Sequence, residues 1–521
     1  MNRKNNKKPT LLVILDGLGL APPGPGNAFH LAKTPFIDSL FKEYPNTQLK
    51  ASGTSVGLPH GQHGNSEAGH MNIGSGRVVL QDSVKITNSI ENKSFFENAA
   101  FLESIKHVKK HNSSLHIMGL ISRTQSPHMD PNHLEALIKL CHQKKVKKVY
   151  CHFFTDGRDS PQFAALEIIK KIKKKLKPNQ KIATLAGRYY LNRKKDWPVT
   201  EKIYNTLVLG EDDLFDNSVK AIVHNYNQRH TDEFIQPTII AKNNKEKMDS
   251  RIDDNDSVIF YNLRSDRARQ LTKPFVQDKF RKMNPGAFKR KKILKNIRFV
   301  AMTNFGPDLP GVLTAYPAES LNMTLPLTLT HLQQLYLTET EKYAHLTYFF
   351  NGGHNAPIGG EEREVINSPS VRNYKETPKM SSPKILNRIL EVLEKDKYHF
   401  ISVNFCNPDM IGHTGKLKAG IKAMEYLDGC LKKLVIAVLN KNGTLFITAD
   451  HGNIEKMTDL ETGEVNTEHT SNPVPFIMVN KNSNKYKFDK SGVLGNIAPT
   501  ILKFLDINKP QEMTKKSLCQ F

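Results

Sequence analysis

Leu11-Leu12-Val13-Ile14-Leu15-Asp16-Gly17 is an apolar run cut short by a carboxylate and a glycine. Five consecutive aliphatic residues bounded by a turn signal read as a short strand buried on both faces. The basic tail ahead of it, Met1–Lys8, gives the segment the look of a secretory signal. Asp16 ends the run too early for that, because a signal core needs ~7–15 apolar residues. The same pattern recurs along the chain. Val149–Phe154 runs into Thr155-Asp156-Gly157-Arg158-Asp159, Ile182–Ala186 into Gly187-Arg188, and Val258–Leu263 into Arg264. Phe400–Phe405 leads to Asn407-Pro408-Asp409, and Leu445–Ala449 to Asp450-His451. Helical stretches lie between these runs, which predicts an α/β fold with mainly parallel sheets covered on both faces. In such sheets ligands bind beyond the carboxyl ends of the strands, where each of these polar residues falls.

The strand ends divide by chemistry. Those near the two termini carry Asp16, Asp409 and Asp450, joined by His413, His451 and His469. Those in the middle carry Arg158, Arg188 and Arg264. A pole of metal ligands and a pole of anion clamps imply two domains. Because the metal pole draws on both ends of the chain, the expected division is a discontinuous domain of residues 1–84 and 312–521 with an insertion at 85–311. The second boundary follows Gly306-Pro307-Asp308-Leu309-Pro310-Gly311, a linker candidate. Asn243–Lys247 and the tail after Asn508 read as mobile surface.

The bulk composition excludes several classes. With 521 residues the chain is too long for one ordinary core. No apolar run approaches the ~18 residues that span a bilayer, so no membrane partner is expected. Five scattered cysteines without a CxxC pair argue against a disulfide framework and for a reducing, cytoplasmic setting. The net charge is +24, and residues 101–300 hold 41 of the 75 lysines and arginines. Runs such as Lys170–Lys177 and Lys289–Lys295 read as solvated faces, and a field that draws in small phosphorylated anions comes second. Polynucleotide binding comes last, since the sequence carries no recognised nucleic-acid motif.

Gly61-Gln62-His63-Gly64-Asn65-Ser66-Glu67-Ala68-Gly69-His70 supplies the candidate nucleophile. Ser66 follows glycines that permit close approach and opens a helix, where free N–H groups and the helix dipole favour a negative group. Asp409 and His413 are four apart and share a helix face. With Asp16, Asp450, His451 and His469 they give three carboxylates and three imidazoles, a mixed O/N set suited to Mn(II), with Zn(II) and Mg(II) as alternatives. Six ligands can hold two ions, and a paired centre stabilises both the attacking and the leaving oxygen in phosphoryl transfer. Arg264 and Arg267 present guanidinium forks that bind phosphate or carboxylate, and Lys342 offers a point charge.

Taken together, several motifs resemble the cofactor-independent phosphoglycerate mutases. They are Asp16-Gly17, Gly64-Asn65-Ser66-Glu67, Asp156-Gly157-Arg158-Asp159, Gly187-Arg188-Tyr189-Tyr190, Asn262–Gln270, Glu341-Lys342-Tyr343-Ala344-His345, Asn407–Gly415, Thr448–Asn453 and His469–Pro475. The resemblance runs in order from about residue 10 to 506. It implies an alkaline-phosphatase-like three-layer domain carrying an inserted α/β transferase domain, a monomer, and no bisphosphoglycerate cofactor. It further implies that Asp409, His413 and His469 hold one Mn(II), and that Asp16, Ser66, Asp450 and His451 hold the other. Ser66 would carry the phosphoryl group as a phosphoserine, gripped by Arg264 and Arg267 with Lys342 beside it. His128, Arg158, Asp159, Arg188 and Arg193 would hold glycerate, with Asp159 handling the protons of its hydroxyls. The segment Ser122–Asp130 departs from the family pattern: the family's Asp and two glycines are missing, and only His128 matches. Near Arg193 the chain is one residue shorter than usual, with Asn192 where an Asp is common. A phosphatase of the same superfamily, which resolves the phosphoserine with water, is the rival enzyme and has no use for the arginines in mid-chain.

Overall fold

In the computed structural model, residues 8–459 and 462–520 are described, so of the basic tail Met1–Lys8 only Lys8 falls among them. The chain separates into two compact units, one of residues up to 81 together with 319 onward, the other of residues 82–318. Both boundaries differ from those expected. The first moves from 84/85 to 81/82 because Asp82 already opens the helix Asp82–Glu91 of the second unit. The second moves from 311/312 to 318/319 because Val312–Tyr316 forms a strand paired in parallel with Arg298–Thr303. Gly306–Gly311 therefore turns within the second unit instead of linking the two.

The first unit is built on eight strands in the order Glu361–Ile366, Gln334–Glu339, Phe400–Phe405, Thr10–Leu15, Thr444–Thr448, Val474–Val479, Asn46–Lys50 and Ser491–Val493. The first five run parallel, and Val474–Val479 is antiparallel to both of its neighbours. Thr10–Leu15 sits at the centre with every residue buried, as its unbroken aliphatic run requires. Four adjacent parallel strands thus deliver Lys342, Asp409, Asp16 and Asp450 just past their carboxyl ends. The tail after Asn508 is not loose surface. Met513 and Leu518 are buried in the core of this unit, and Cys519–Gln520 pairs with Lys487–Phe488.

The second unit has its own eight-stranded sheet. Its order is Val312–Tyr316, Arg298–Thr303, Ser257–Phe260, Leu115–Ile121, Val149–Thr155, Gln180–Gly187, Thr238–Ile240 and Asp213–Phe215. The pairing is parallel except between Gln180–Gly187 and Thr238–Ile240. The run Val258–Leu263 forms a strand only as far as Phe260, so three residues separate the sheet from Arg264. The lysines of Ala165–Lys175 lie on its exposed face while Ile168 and Ile169 are buried. The stretch Asn243–Lys247, expected to be mobile surface, caps and opens a short helix, Asn244–Asp249.

Candidate metal and phosphoryl centre

Ser66 begins the helix Ser66–Ser75, capped by the Asn65 side chain, which accepts from the Ala68 N–H. Its side chain is not on an open surface: the residue is only 6% exposed. Gly69 makes this burial possible, because a Cβ there would lie 2.7 Å from the Asp450 side chain. Ser66 Oγ lies 2.9 Å from His451 Nε2, 2.8 Å from Lys342 Nζ and 3.4 Å from Asp16 Oδ1. One hydroxyl is thus ringed by an imidazole, an ammonium and a carboxylate, each from a different loop.

The imidazoles are oriented in a common way. His413 Nδ1 donates to the Thr467 carbonyl at 2.7 Å, His469 Nδ1 to Gly64 at 2.8 Å, and His451 Nδ1 to Gly452 at 3.2 Å. Each ring therefore turns the lone pair of Nε2 inward, the arrangement in which histidine binds metals. His413 Nε2 and His469 Nε2 are 3.0 Å apart and each lies 3.2 Å from Asp409 Oδ1. Lone pairs so crowded repel unless a cation, proton or metal, stands among them. Asp450 Oδ2 is a second such signal: it is buried with only two imidazoles near it, His70 Nδ1 at 3.1 Å, which is poorly aligned for a hydrogen bond, and His451 Nε2 at 3.6 Å. The donor set of carboxylates and imidazoles fits divalent ions, and two groups have ligand atoms close enough to share one: Asp409, His451 and His469, and Asp16, His70 and Asp450.

This grouping differs from the expected one in three respects. His451 stands between the groups, stacked 4.0 Å from His469 and 3.9 Å from Asp409 Oδ1, while also reaching Ser66. His413 is absent from the first triad, although its Nε2 contacts both Asp409 and His469. His70 is new. It lies one turn beyond Ser66 on the same helix face, fully buried, with Nδ1 3.0 Å from the Ser66 carbonyl and 3.1 Å from Asp450 Oδ2. Asn404 completes this inner layer by donating to His70 Nε2 at 3.0 Å and to Asp16 Oδ2 at 2.8 Å.

Lys342 is buried and its Nζ contacts Asp16 Oδ1 at 2.6 Å and Asp409 Oδ2 at 2.7 Å. Burial works to lower its pKa, but the carboxylates of Asp16, Asp409 and Asp450 outweigh it and the net shift is upward. Asp409 shows the reverse balance. Burial works to raise it, yet Lys342 and the hydrogen bonds of His413 and His469 hold it well below the usual carboxylate range. Burial, reinforced by the charge of Asp450, raises Asp16.

In the second unit, the predicted clamp residues gather beyond four strand ends. Arg188, nine-tenths buried, binds Asp156 at 2.5 Å and Asp159 at 2.6 Å, and its other nitrogen lies 3.1 Å from His128 Nε2. Arg193 pairs with Asp266 at 2.5 Å, and Arg264 lies 4.0 Å from the same carboxylate with its side chain 56% exposed. Arg158 is also exposed and only approaches Glu233, at 3.7 Å. Arg267 is buried, its Nε without a partner, and its pKa is pushed down to about 10 by burial and then by Arg188 and Arg193. His128 is brought into the group despite its altered sequence context. Burial and then Arg188 lower it to about 4, so it is neutral at pH 7, and its Nδ1 makes no hydrogen bond, with Asp266 Oδ1 3.7 Å away. Unpartnered donors and a surplus of guanidinium are the chemistry that suits an anion. Sequence reasoning missed Asp156, which holds Arg188 in place from within the quoted Asp156-Gly157-Arg158-Asp159. Asp266, which holds Arg193, stands between Arg264 and Arg267 in the quoted Asn262–Gln270.

The profile of the Metalloenzyme superfamily matches residues 8–509. A 2,3-bisphosphoglycerate-independent phosphoglycerate mutase of Clostridium botulinum is 45% identical over 518 residues, covering 98% of this chain and 99% of that protein. One from Clostridium acetobutylicum is 46% identical over 517 residues, with 98% and 99% covered. Among solved structures, the phosphoglycerate mutase of Leishmania mexicana at low cobalt concentration superposes with a TM-score of 0.70 at 28% identity, covering 100% of this chain and 99% of that one. These matches and the ligand geometry make the chain a metalloenzyme of divalent ions. Among the described residues no helix is long and apolar enough to cross a membrane.

Proposed function

Because the chain belongs to the 2,3-bisphosphoglycerate-independent phosphoglycerate mutases, we propose that it interconverts 3-phosphoglycerate and 2-phosphoglycerate through a phosphoserine on Ser66. The observation that carries the phosphoserine is the buried Ser66 hydroxyl within reach of His451 Nε2, Lys342 Nζ and Asp16 Oδ1, beside two groups of carboxylates and imidazoles that could each hold an ion. Two divalent ions, Mn(II) by the carboxylate share of the donors, would be held by Asp409, His413 and His469 and by Asp16, Ser66, Asp450 and His451. When bound, they lower the pKa of the serine hydroxyl and neutralise charge on the phosphoryl oxygens.

The protein's own groups have separable tasks. Ser66 Oγ attacks phosphorus while the bond to the glycerate oxygen breaks, and that oxygen leaves with a proton. Lys342, 2.8 Å from Ser66 Oγ, sets an ammonium beside the transferring group. Arg264 and Arg267 would grip the phosphoryl oxygens. His128, Arg158, Arg188 and Arg193 would bind the glycerate carboxylate and hydroxyls while the molecule turns, and Asp159 would take up and return the hydroxyl proton. The second hydroxyl then attacks the phosphoserine, so no bisphosphoglycerate is required. The substrate is a small phosphorylated acid, the protein is proposed to act as a cytoplasmic monomer, and nucleic acid is not expected to bind.

The test is a coupled enolase assay without bisphosphoglycerate, run beside a measurement of free phosphate. Ser66→Ala should lose roughly 10³-fold or more in kcat while keeping the wild-type circular dichroism spectrum. Chelation should abolish turnover, and Mn(II) should restore it. Substantial turnover in the alanine variant would overturn the serine nucleophile. Phosphate release without 2-phosphoglycerate would assign the site to a phosphatase.

A further inference from the structure

Behind the ligands lies a carboxylate that the reaction does not use. Glu455 is 2% exposed and, among the described residues, pairs with no cation. A buried carboxylate without a cation must be satisfied by hydrogen bonds, so its donors need an explanation. It accepts four. Oε2 takes the N–H of Gly19 at 3.0 Å and that of Asn453 at 2.8 Å. Oε1 takes the Asn472 amide at 2.9 Å and the Thr470 hydroxyl.

These donors come from three loops. Gly19 lies three residues after Asp16, Asn453 two after His451, and Thr470 and Asn472 directly after His469. Gly19 and Gly452 make room for the carboxylate, since a Cβ at either position would run into it. The loops are also joined by main-chain bonds, from Thr470 to the Gly452 carbonyl at 2.9 Å and from Ile454 to that of Gly17 at 3.1 Å.

We infer that Glu455 is a positioning residue that ties the Asp16, Asp450–His451 and His469 loops into one rigid metal-binding frame. The inference rests on the metal-centre reading above. Its carboxylate touches none of the ligand atoms, so it acts by fixing where they stand. Only an acceptor with two oxygens can satisfy all four donors. In Glu455→Gln, an NH2 group at the Oε2 position faces the N–H groups of Gly19 and Asn453, and at the Oε1 position it forces the Thr470 hydroxyl and the Asn472 amide to turn round and accept, so either orientation disturbs at least one loop.

The experiment titrates Mn(II) into full-length protein stripped with chelator, by calorimetry, for wild type, Glu455→Gln and Thr470→Val. Outer partners of metal ligands typically carry 10–100-fold in affinity, and that loss is expected for Glu455→Gln. Turnover at saturating Mn(II) should stay within about threefold of wild type, because the ligands themselves are intact. Thr470→Val removes a single donor and should weaken binding in the same direction, which keeps the test readable if Glu455→Gln fails to fold. Variants that bind Mn(II) as tightly as wild type but melt earlier would reduce Glu455 to a structural role and overturn the inference. Wild-type protein that binds no Mn(II) would instead bring down the metal reading beneath it.

Discussion

Replacing Lys342 with methionine keeps most of the unbranched side chain, one atom short, and removes its charge. The ammonium lies 2.6 Å from Asp16 Oδ1 and 2.7 Å from Asp409 Oδ2 in a site closed to water. At an effective dielectric near 20, each contact is an attraction of about 6 kcal/mol. Much of that offsets the cost of taking three charges out of water, and breaking one side of such a buried pair leaves a net loss of about 3–5 kcal/mol. For a unit of this size, each kcal/mol corresponds to roughly 2–4 °C in Tm, so a fall of roughly 10 °C is expected. The penalty belongs to the chelated protein. Divalent ions bound to the same carboxylates take over the neutralisation, so Mn(II) should raise the Tm of the variant more than that of wild type. Differential scanning calorimetry of both proteins, stripped and loaded, makes the comparison. A stripped Lys342→Met protein melting within 2 °C of wild type would refute the argument. So would a larger deficit in the loaded form.

The remaining tests concern the second unit. Arg264→Ala should lower kcat/KM by roughly 100-fold or more, the effect of removing a charged group that grips a phosphoryl group. Lys175→Ala, an exposed lysine paired with Glu135 at 3.2 Å, should change it less than twofold, and equal losses would reduce the clamp to bulk charge. His152 is fully buried between Thr184, 2.9 Å away, and His116, 2.8 Å away. Burial and then His116 hold its pKa well below 6.5. Below that pH the unfolded chain takes up a proton that the folded unit refuses, so this residue makes stability fall with acidity by about 1.4 kcal/mol per pH unit. Urea unfolding from pH 7 to 5 should show that slope reduced by one proton in His152→Asn, and an unchanged slope would place the proton uptake elsewhere.

What could be read from the sequence follows a physical division. Parallel strands buried on both faces must be apolar throughout, so the point where the run breaks marks the carboxyl end of the strand, where ligands bind. Asp16, Asp450 and Arg188 were legible for that reason. Domain edges were less so, because Val312–Tyr316 is an edge strand with partly exposed residues and no unbroken apolar run. The tail after Asn508 misled for a related reason. Its polar composition hides Met513 and Leu518, two side chains that suffice to pin it.

The groups that orient the ligands were harder to find, and the difficulty is one of principle. Asn404 did leave a trace, as an amide inside the apolar run Phe400–Phe405 where no polar residue would sit without a partner. His70 left one too, four residues beyond Ser66 and so on the same helix face. Glu455 left none. Its donors at positions 19, 453, 470 and 472 acquire meaning only once the chain has folded and brought loops more than 430 residues apart onto one carboxylate. A ligand is chosen by the chemistry of the ion, which a residue type reveals, whereas a supporting group is chosen by the gap it must span. This is why substitutions around Glu455 discriminate more sharply than substitutions of the ligands. Losing a ligand abolishes binding under any account of the site, but a graded loss of affinity with turnover preserved at saturation requires that the frame itself was doing the holding.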